Sequence, residues 1–401
     1  MEIDIGRGKK GRRAYGFDDI AIVPSRRTRD PDDIDISWTL GPYRFELPLV
    51  ASAMDGVVSP DTAALVNELG GLGVLNLEGI WTRFENAEEQ LEKIAAAPKD
   101  LATRTMQEIY AEPVKPELIG QRIAEIKQKG AVACGSLTPQ KVREHYEIAV
   151  EAGIDILVIQ GTVISAEHVS TTVEPLNLKE FIAEVPVPTV VGGCASYSTG
   201  LHLMRTGAVG VLVGVGPGAA CTTRGVLGIG VPQATAIADV AAARAQHMLE
   251  TGEYVNVIAD GGMRTGGDVS KAIACGADAV MVGSPLARAK EAPGRGFHWG
   301  MATFHPSLPR GTRVSTKQDG TMEEILLGPA QDNDGTFNLM GALRTSMATC
   351  GYEDIRSFQR AEVMVAPALQ SEGKKLQNEQ AVGMGSNGRA AVSAGVGVAD
   401  D

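Results

Sequence analysis

Val209-Gly210-Val211-Leu212-Val213 runs directly into Gly214-Val215-Gly216-Pro217-Gly218-Ala219-Ala220-Cys221-Thr222-Thr223-Arg224. The first five residues are a short apolar run with valine at every second position, which predicts a buried strand. Three glycines and a proline within the next five residues cannot sustain a helix, and they let backbone N–H groups come close to a ligand. A thiol is therefore presented on a loop at the end of a strand.

The same order recurs along the chain. Short β-branched runs predict strands at Leu47–Met54, Gly73–Leu77, Ala131–Leu137, Ile156–Thr162, Pro188–Cys194, Val209–Val215, Val255–Ala259 and Ala279–Val282. Helical periodicity fills the intervals at Asp61–Leu69, Ala87–Ala96, Pro139–Ala152, Leu178–Glu184, Ser198–Thr206, Pro232–Thr251 and Gly267–Cys275. Repeated βα units at this spacing predict a parallel sheet, and eight of them close into a TIM (β/α)8 barrel. Glu78–Gly130 is longer than one crossover needs and is broken by Pro113-Val114-Lys115-Pro116, so it predicts an added peripheral segment. Residues 1–382 read as one barrel with an N-terminal arm, and 383–401, rich in Gly, Ala, Ser and Val, as a disordered tail.

Composition bounds the function classes. The 401 residues are 44% hydrophobic and 21% charged, enough for one large barrel. A net charge of −12 argues against a nucleic-acid surface, and Lys9, Lys10, Arg12 and Arg13 read as a solvated arm. The start lacks the apolar core of a signal peptide, and no run has the length of a membrane span. Five cysteines without paired spacing predict neither a disulfide framework nor a zinc site, and point to a reducing cytoplasm.

Four of those cysteines, Cys134, Cys194, Cys275 and Cys350, lie in or beside apolar segments and read as core thiols. Cys221 is flanked by Thr222, Thr223 and Arg224, and a nearby guanidinium is expected to favour the thiolate. The chemistry of such a barrel belongs to the loops at the carboxyl ends of its strands, and phosphate is commonly held after the last two. Asp260-Gly261-Gly262 and Gly283-Ser284 occupy those positions. Their amides and the Ser284 hydroxyl suit a phosphate, and Asp260 suits ribose hydroxyls.

Val257-Ile258-Ala259-Asp260-Gly261-Gly262, with Gly214–Thr223, Leu49–Asp55, Ala279–Ser284, Gly228-Ile229-Gly230-Val231-Pro232-Gln233 and Glu291-Ala292-Pro293-Gly294, resembles the IMP dehydrogenase/GMP reductase family from Tyr15 to about Cys350. The resemblance implies that Cys221 attacks C2 of a purine nucleotide, forming an adduct that passes a hydride to a nicotinamide. It implies Thr223 beside the nucleophile; Ser52, Met54, Gly218, Asp260, Gly262, Gly283, Ser284 and Met301 around the nucleotide; and Gln160, Gly214 and Gly216 toward the cofactor. It also implies a K+ site on the backbone of Gly216, Gly218 and Cys221, a homotetramer, and a mobile flap after strand eight, about 287–313.

The chain departs from the family in several places. No CBS pair follows strand two; Ala219, Leu212, Cys194 and Gln160 replace a serine, a basic residue, an asparagine and an aspartate. The flap has no Arg-Tyr pair of the kind that activates water in the dehydrogenases. Arg310 stands where the reductases carry a glutamate, and Asn76-Leu77-Glu78-Gly79 lacks their lysine. The reading is an IMP dehydrogenase, oxidising IMP to XMP with NAD, NADP being the other cofactor, with Thr223, His298, His305 and Arg310 as candidates for water activation. GMP reductase is the alternative direction. A non-catalytic nucleotide-binding paralogue is the alternative of another class, and an FMN-type barrel oxidase would share the phosphate loops without needing the Cys loop.

Overall fold

The computed structural model describes residues 2–165, 168–171, 175–300, 305–366 and 373–385. Eight parallel strands close into a barrel: β1 (Leu49–Ala51), β2 (Leu72–Asn76), β3 (Cys134–Leu137), β4 (Ile156–Gln160), β5 (Thr189–Cys194), β6 (Gly210–Val213), β7 (Asn256–Asp260) and β8 (Ala279–Val282). Closure is made by β8 against β1, with Val280 opposite Leu49 and Val282 opposite Ala51. Every expected strand is present: five are shortened by the loops that flank them, those at Leu72–Asn76 and Asn256–Asp260 are shifted by one residue, and Ala279–Val282 is as expected.

The side-chain alternation of a strand explains the two cores. Val50, Leu72, Val74, Cys134, Ile156, Val158, Val190, Leu212, Ile258, Ala279 and Met281 pack together inside the barrel. Their neighbours, such as Leu157, Val211, Val257 and Val280, face the surrounding helices. A hairpin of Trp38–Leu40 and Tyr43–Phe45 seals the amino end, where Trp38 Nε1 donates to Leu47 O at 2.8 Å. Continuing the same parity, Ser136, Gln160, Asp260 and Met281 form the inward layer at the carboxyl end. The top of the core is thereby polar.

The helices start and stop on local signals. Ser59 accepts from Thr62 N at 3.1 Å to cap α1 (Pro60–Glu68), and Gly252, with φ +77°, ends the long helix Gln233–Thr251. Between β2 and β3 lie α2 (Ala87–Ala96), α3 (Ala102–Tyr110) and α4 (Pro116–Gln128), the last two separated at the expected proline break. The N-terminal arm is an exposed hairpin, Glu2–Gly6 with Lys9–Arg12. Of the expected tail, Gly383–Gly385 form a turn and 386–401 lie outside the described residues. No described helix is long and apolar enough to cross a membrane.

Beyond β8, the chain makes a single turn at Leu286–Arg288 and then a short strand, β9 (Phe297–His298), paired antiparallel with β10 (Val314–Ser315). Arg313 ties this pair outward: its guanidinium lies 4.3 Å from the Phe297 ring centroid and donates to Ala97 O at 2.8 Å. The described part of the expected flap is thus anchored at both ends.

Candidate active site

Cys221 lies half-buried on the loop between β6 and a short helix, α8 (Thr223–Leu227). Its amide donates to Gly218 O at 3.0 Å, which curls the loop. The thiol donates to Thr223 Oγ1 at 3.1 Å, and Thr223 itself is wholly buried. The other cysteines behave as core thiols: burial pushes Cys194 up to about 12, Cys275 up to about 11, and Cys134 and Cys350 up as well. A thiol held that far above neutrality is a poor nucleophile at pH 7.

Arg224 does not serve the thiolate as expected. Its Nε donates to Val215 O at 3.3 Å and its Nη2 to Val231 O at 2.7 Å, so its donors brace the two sides of the loop. A guanidinium can satisfy several carbonyls at once, and adjacency in sequence placed it by the loop, away from the sulfur. A different arginine is involved. Across the Cys loop runs the chain leading to β10, paired by Thr222 N to Arg310 O and Thr312 N to Ala220 O, both at 3.0 Å. The half-buried Arg310 side chain has no hydrogen bond or ion pair to any described residue.

The two loops read from sequence as phosphate-binding, after β7 and β8, lie on the same face. Gly261 and Gly262, at φ +78° and +85°, make the turn after β7, and Gly261 N donates to Met281 O at 3.1 Å. A Cβ on Gly261 would stand 3.3 Å from Gly218 N, so the Cys loop touches this turn, while the space beside Gly218 is open. Gly283 passes under Met54, whose sulfur would meet a Cβ at 2.5 Å. Ser52 N donates to Val282 O at 3.0 Å, bringing the loop after β1 alongside. Ser284 is half-buried and its Oγ lies 2.8 Å from His298 Nε2.

Asp260 sits half-buried in the mouth, where burial pushes its carboxyl up to about 7 against the downward pull of the Gln160 amide. Gln160 Nε2 donates to Asp260 Oδ2 at 3.3 Å, and Ser136 Oγ donates to Gln160 Oε1 at 3.4 Å. The residues named for a nicotinamide are therefore unequal. The half-buried Gln160 amide is a neutral rim group suited to a ribose hydroxyl or carboxamide. Gly214 is sealed instead against Asp260 O and the Gln233 amide, and Gly216, at φ +75°, lies under the Arg224 side chain. Of the carbonyls named for K+, Gly218 O already accepts from Cys221 N.

Both flap histidines are otherwise engaged. His298, expected as a candidate for water activation, is wholly buried by the β9–β10 pairing and by Ser284, and desolvation lowers its imidazole to about 4. His305 is exposed, and its Nδ1 accepts from Leu308 N at 2.8 Å. Met301 lies outside the described residues. Glu78, in the segment after β2 that offers no lysine, is buried and accepts from Thr138 N at 2.5 Å.

One group escaped the sequence reading altogether. Tyr110, on α3, donates to Asp55 Oδ2 and accepts from Trp299 Nε1 at 2.7 Å, linking the loop after β1 to the strand of His298. All three are buried, and burial raises Asp55 to about 6. Residues 55, 110 and 299 are too far apart in sequence for any local pattern to join them.

The chain matches the IMP dehydrogenase / GMP reductase domain family over residues 14–375. It is 48% identical to an uncharacterised oxidoreductase of Mycolicibacterium smegmatis over 372 residues, covering 90% of this chain and 99% of the relative. It is 26% identical to the inosine-5'-monophosphate dehydrogenase of Methanocaldococcus jannaschii, covering 90% and 95%. Among solved structures, the IMP dehydrogenase/GMP reductase-like protein of Corynebacterium glutamicum superposes with a TM-score of 0.87 at 46% identity, covering 91% of this chain and 97% of that one.

Proposed function

The chain belongs to the IMP dehydrogenase/GMP reductase family of oxidoreductases, and from that premise we propose that it oxidises IMP to XMP with NAD through a covalent adduct on Cys221. The observation that carries the reading is the Cys221–Thr223 contact on a loop clamped by the Arg310 and Thr312 backbone.

Ser284, Gly262 and Gly218 hold the 5'-phosphate, and Asp260, once ionised, accepts from the ribose hydroxyls. The Cys221 sulfur adds to C2 of the purine as the C2=N3 π bond opens, and the thiol proton is relayed to N3 through the Thr223 hydroxyl, whose Oγ1 accepts from the sulfur at 3.1 Å. A nicotinamide bound at the Gln160 rim would supply the two-electron acceptor for the hydride leaving C2. The thioimidate that remains on Cys221 is attacked at C2 by water; the C2–O bond forms, the C2–S bond breaks, and the sulfur takes back one water proton while the other stays on the purine ring. The proton taken up at N3 leaves to solvent when the hydride departs, so one proton is released per turnover. The Arg310 guanidinium, without a side-chain partner among the described residues, stabilises the hydroxide-like oxygen electrostatically.

Reduction of GMP is the second reading, favoured by the engagement of both flap histidines in other bonds. Against it stand the lack of a lysine after β2, where the Glu78 carboxylate is buried, and the arginine in place of a glutamate.

Incubation with IMP plus NAD or NADP, and separately GMP plus NADPH, followed at the absorbance of the reduced nicotinamide, tests the direction. XMP formed with NADH, and lost in Cys221→Ala, is the expected result. Ammonia and IMP from GMP would move the protein to the reductase direction. Tight IMP binding without turnover in either assay would make it a nucleotide-binding paralogue. Sedimentation of the same preparation checks the expected homotetramer.

A further inference from the structure

His298 is a buried histidine that the chemistry of Cys221 does not use. It lies on β9, fixed by pairing with Val314, and the backbone around it is tight: a Cβ on Gly56 would stand 3.3 Å from His298 Cα and 2.9 Å from Phe297 O. Its neighbour Trp299 is buried and bonded to Tyr110. The imidazole has no room to swing out. Its Nε2 meets Ser284 Oγ at 2.8 Å, while its Nδ1 is buried without a hydrogen-bond partner among the described residues.

Two proton arrangements are open to a neutral imidazole, and they give Ser284 opposite roles. With the proton on Nδ1, a buried N–H has no acceptor, and Nε2 takes the only proton the serine hydroxyl has. Ser284 then has nothing to donate to a phosphate dianion, which only accepts. With the proton on Nε2, the ring donates to Ser284 Oγ and leaves a bare Nδ1 lone pair in apolar surroundings. Orphaned buried donors are rarer in folded proteins than under-satisfied acceptors, so hydrogen-bond accounting assigns the second arrangement.

From this geometry we infer that His298 is a positioning residue: by donating from Nε2 to Ser284 Oγ, it aims the serine O–H at a phosphate oxygen of the substrate. The inference rests on the reading of Ser284 as a phosphate ligand and deepens it, naming a nucleoside monophosphate over a nucleoside as what this face selects. Low basicity supports it, since the ring is too desolvated to act as a cationic phosphate ligand itself.

The test is calorimetric binding of IMP and of inosine to the full-length protein and to His298→Phe, His298→Gln, Ser284→Ala and the double variant His298→Phe/Ser284→Ala, each with its melting temperature recorded. Phenylalanine fills the space without the donor, and glutamine restores an N–H donor. The expected result is about tenfold weaker IMP binding in His298→Phe and in Ser284→Ala. The double variant should be no weaker than Ser284→Ala, His298→Gln should recover to within about threefold, and inosine should change by less than about twofold. Equal losses for IMP and inosine, or additive losses in the double variant, would overturn the assignment while leaving the dehydrogenase reading intact. Failure of the unaltered protein to bind IMP would overturn the proposed substrate, and this assignment with it.

Discussion

The two halves of the candidate site are built differently. On the phosphate side, Gly261, Gly262, Gly283 and Ser284 are the direct continuations of β7 and β8, and a buried histidine backs the serine. On the reaction side, Cys221 stands eight residues beyond the end of β6, on a loop closed by its own Gly218 bond and clamped by two backbone hydrogen bonds from a segment about 90 residues away. Anchoring is therefore a property of the barrel, and chemistry is a property of a loop contact. That division explains how a barrel can keep its substrate while its reaction machinery varies, since a strand end cannot change without disturbing the sheet.

The contrast can be broken most severely at the thiol. Cys221→Ala should lower turnover by at least about 10⁴-fold with IMP binding retained, because the anchoring half is untouched. Steady-state kinetics with calorimetry check this, and a loss of IMP affinity of similar size would show that the halves are not separate. Removing the clamp should act next. Thr312→Pro deletes the N–H that reaches Ala220 O, and kcat should drop by about 10- to 100-fold with KM for IMP within about threefold. An unchanged kcat would mean that the clamp is incidental to the chemistry.

The smallest effect sharpens the comparison through pH. Asp260 has a folded pKa of about 7, well above its ordinary value, because burial disfavours its charge. Between about pH 4 and 7 the folded protein thus holds a proton that the unfolded chain has released. Stability contributed by this group therefore falls as pH rises through that window and is lowest above 7. IMP affinity should run the opposite way, rising severalfold from pH 6 to pH 8 as the carboxylate becomes an acceptor for the ribose. Asp260→Asn should flatten both profiles, seen by thermal melting and by titration with IMP. A pH-independent affinity in the unaltered protein would remove Asp260 from the ribose.

Much of the anchoring half was legible in the chain. Valine alternation located β6 because a strand's period of two is a local property, and the glycine pair after β7 is local as well, its left-handed φ values being written in the residue type. The inward layer of Ser136, Gln160 and Asp260 also follows from parity counted along each strand. What escaped was whatever depends on a partner distant in sequence. Arg224 is adjacent to the nucleophile and bonds carbonyls at Val215 and Val231, whereas Arg310 is remote and crosses the Cys loop. His298 read as a candidate for water activation because its polarity is visible in sequence and its burial is not. The strut from Asp55 through Tyr110 to Trp299 had no local signal.

By itself the sequence determined eight βα units, hence a barrel, and the glycine turn that follows β7, because periodicity and glycine geometry act over a few residues. Only the tertiary structure decided which distant segment pairs with the Cys loop, which histidine is buried and what Gln160 touches. Those outcomes depend on hydrogen-bond partners and desolvation, and both come from groups that closure of the barrel brings together from far along the chain.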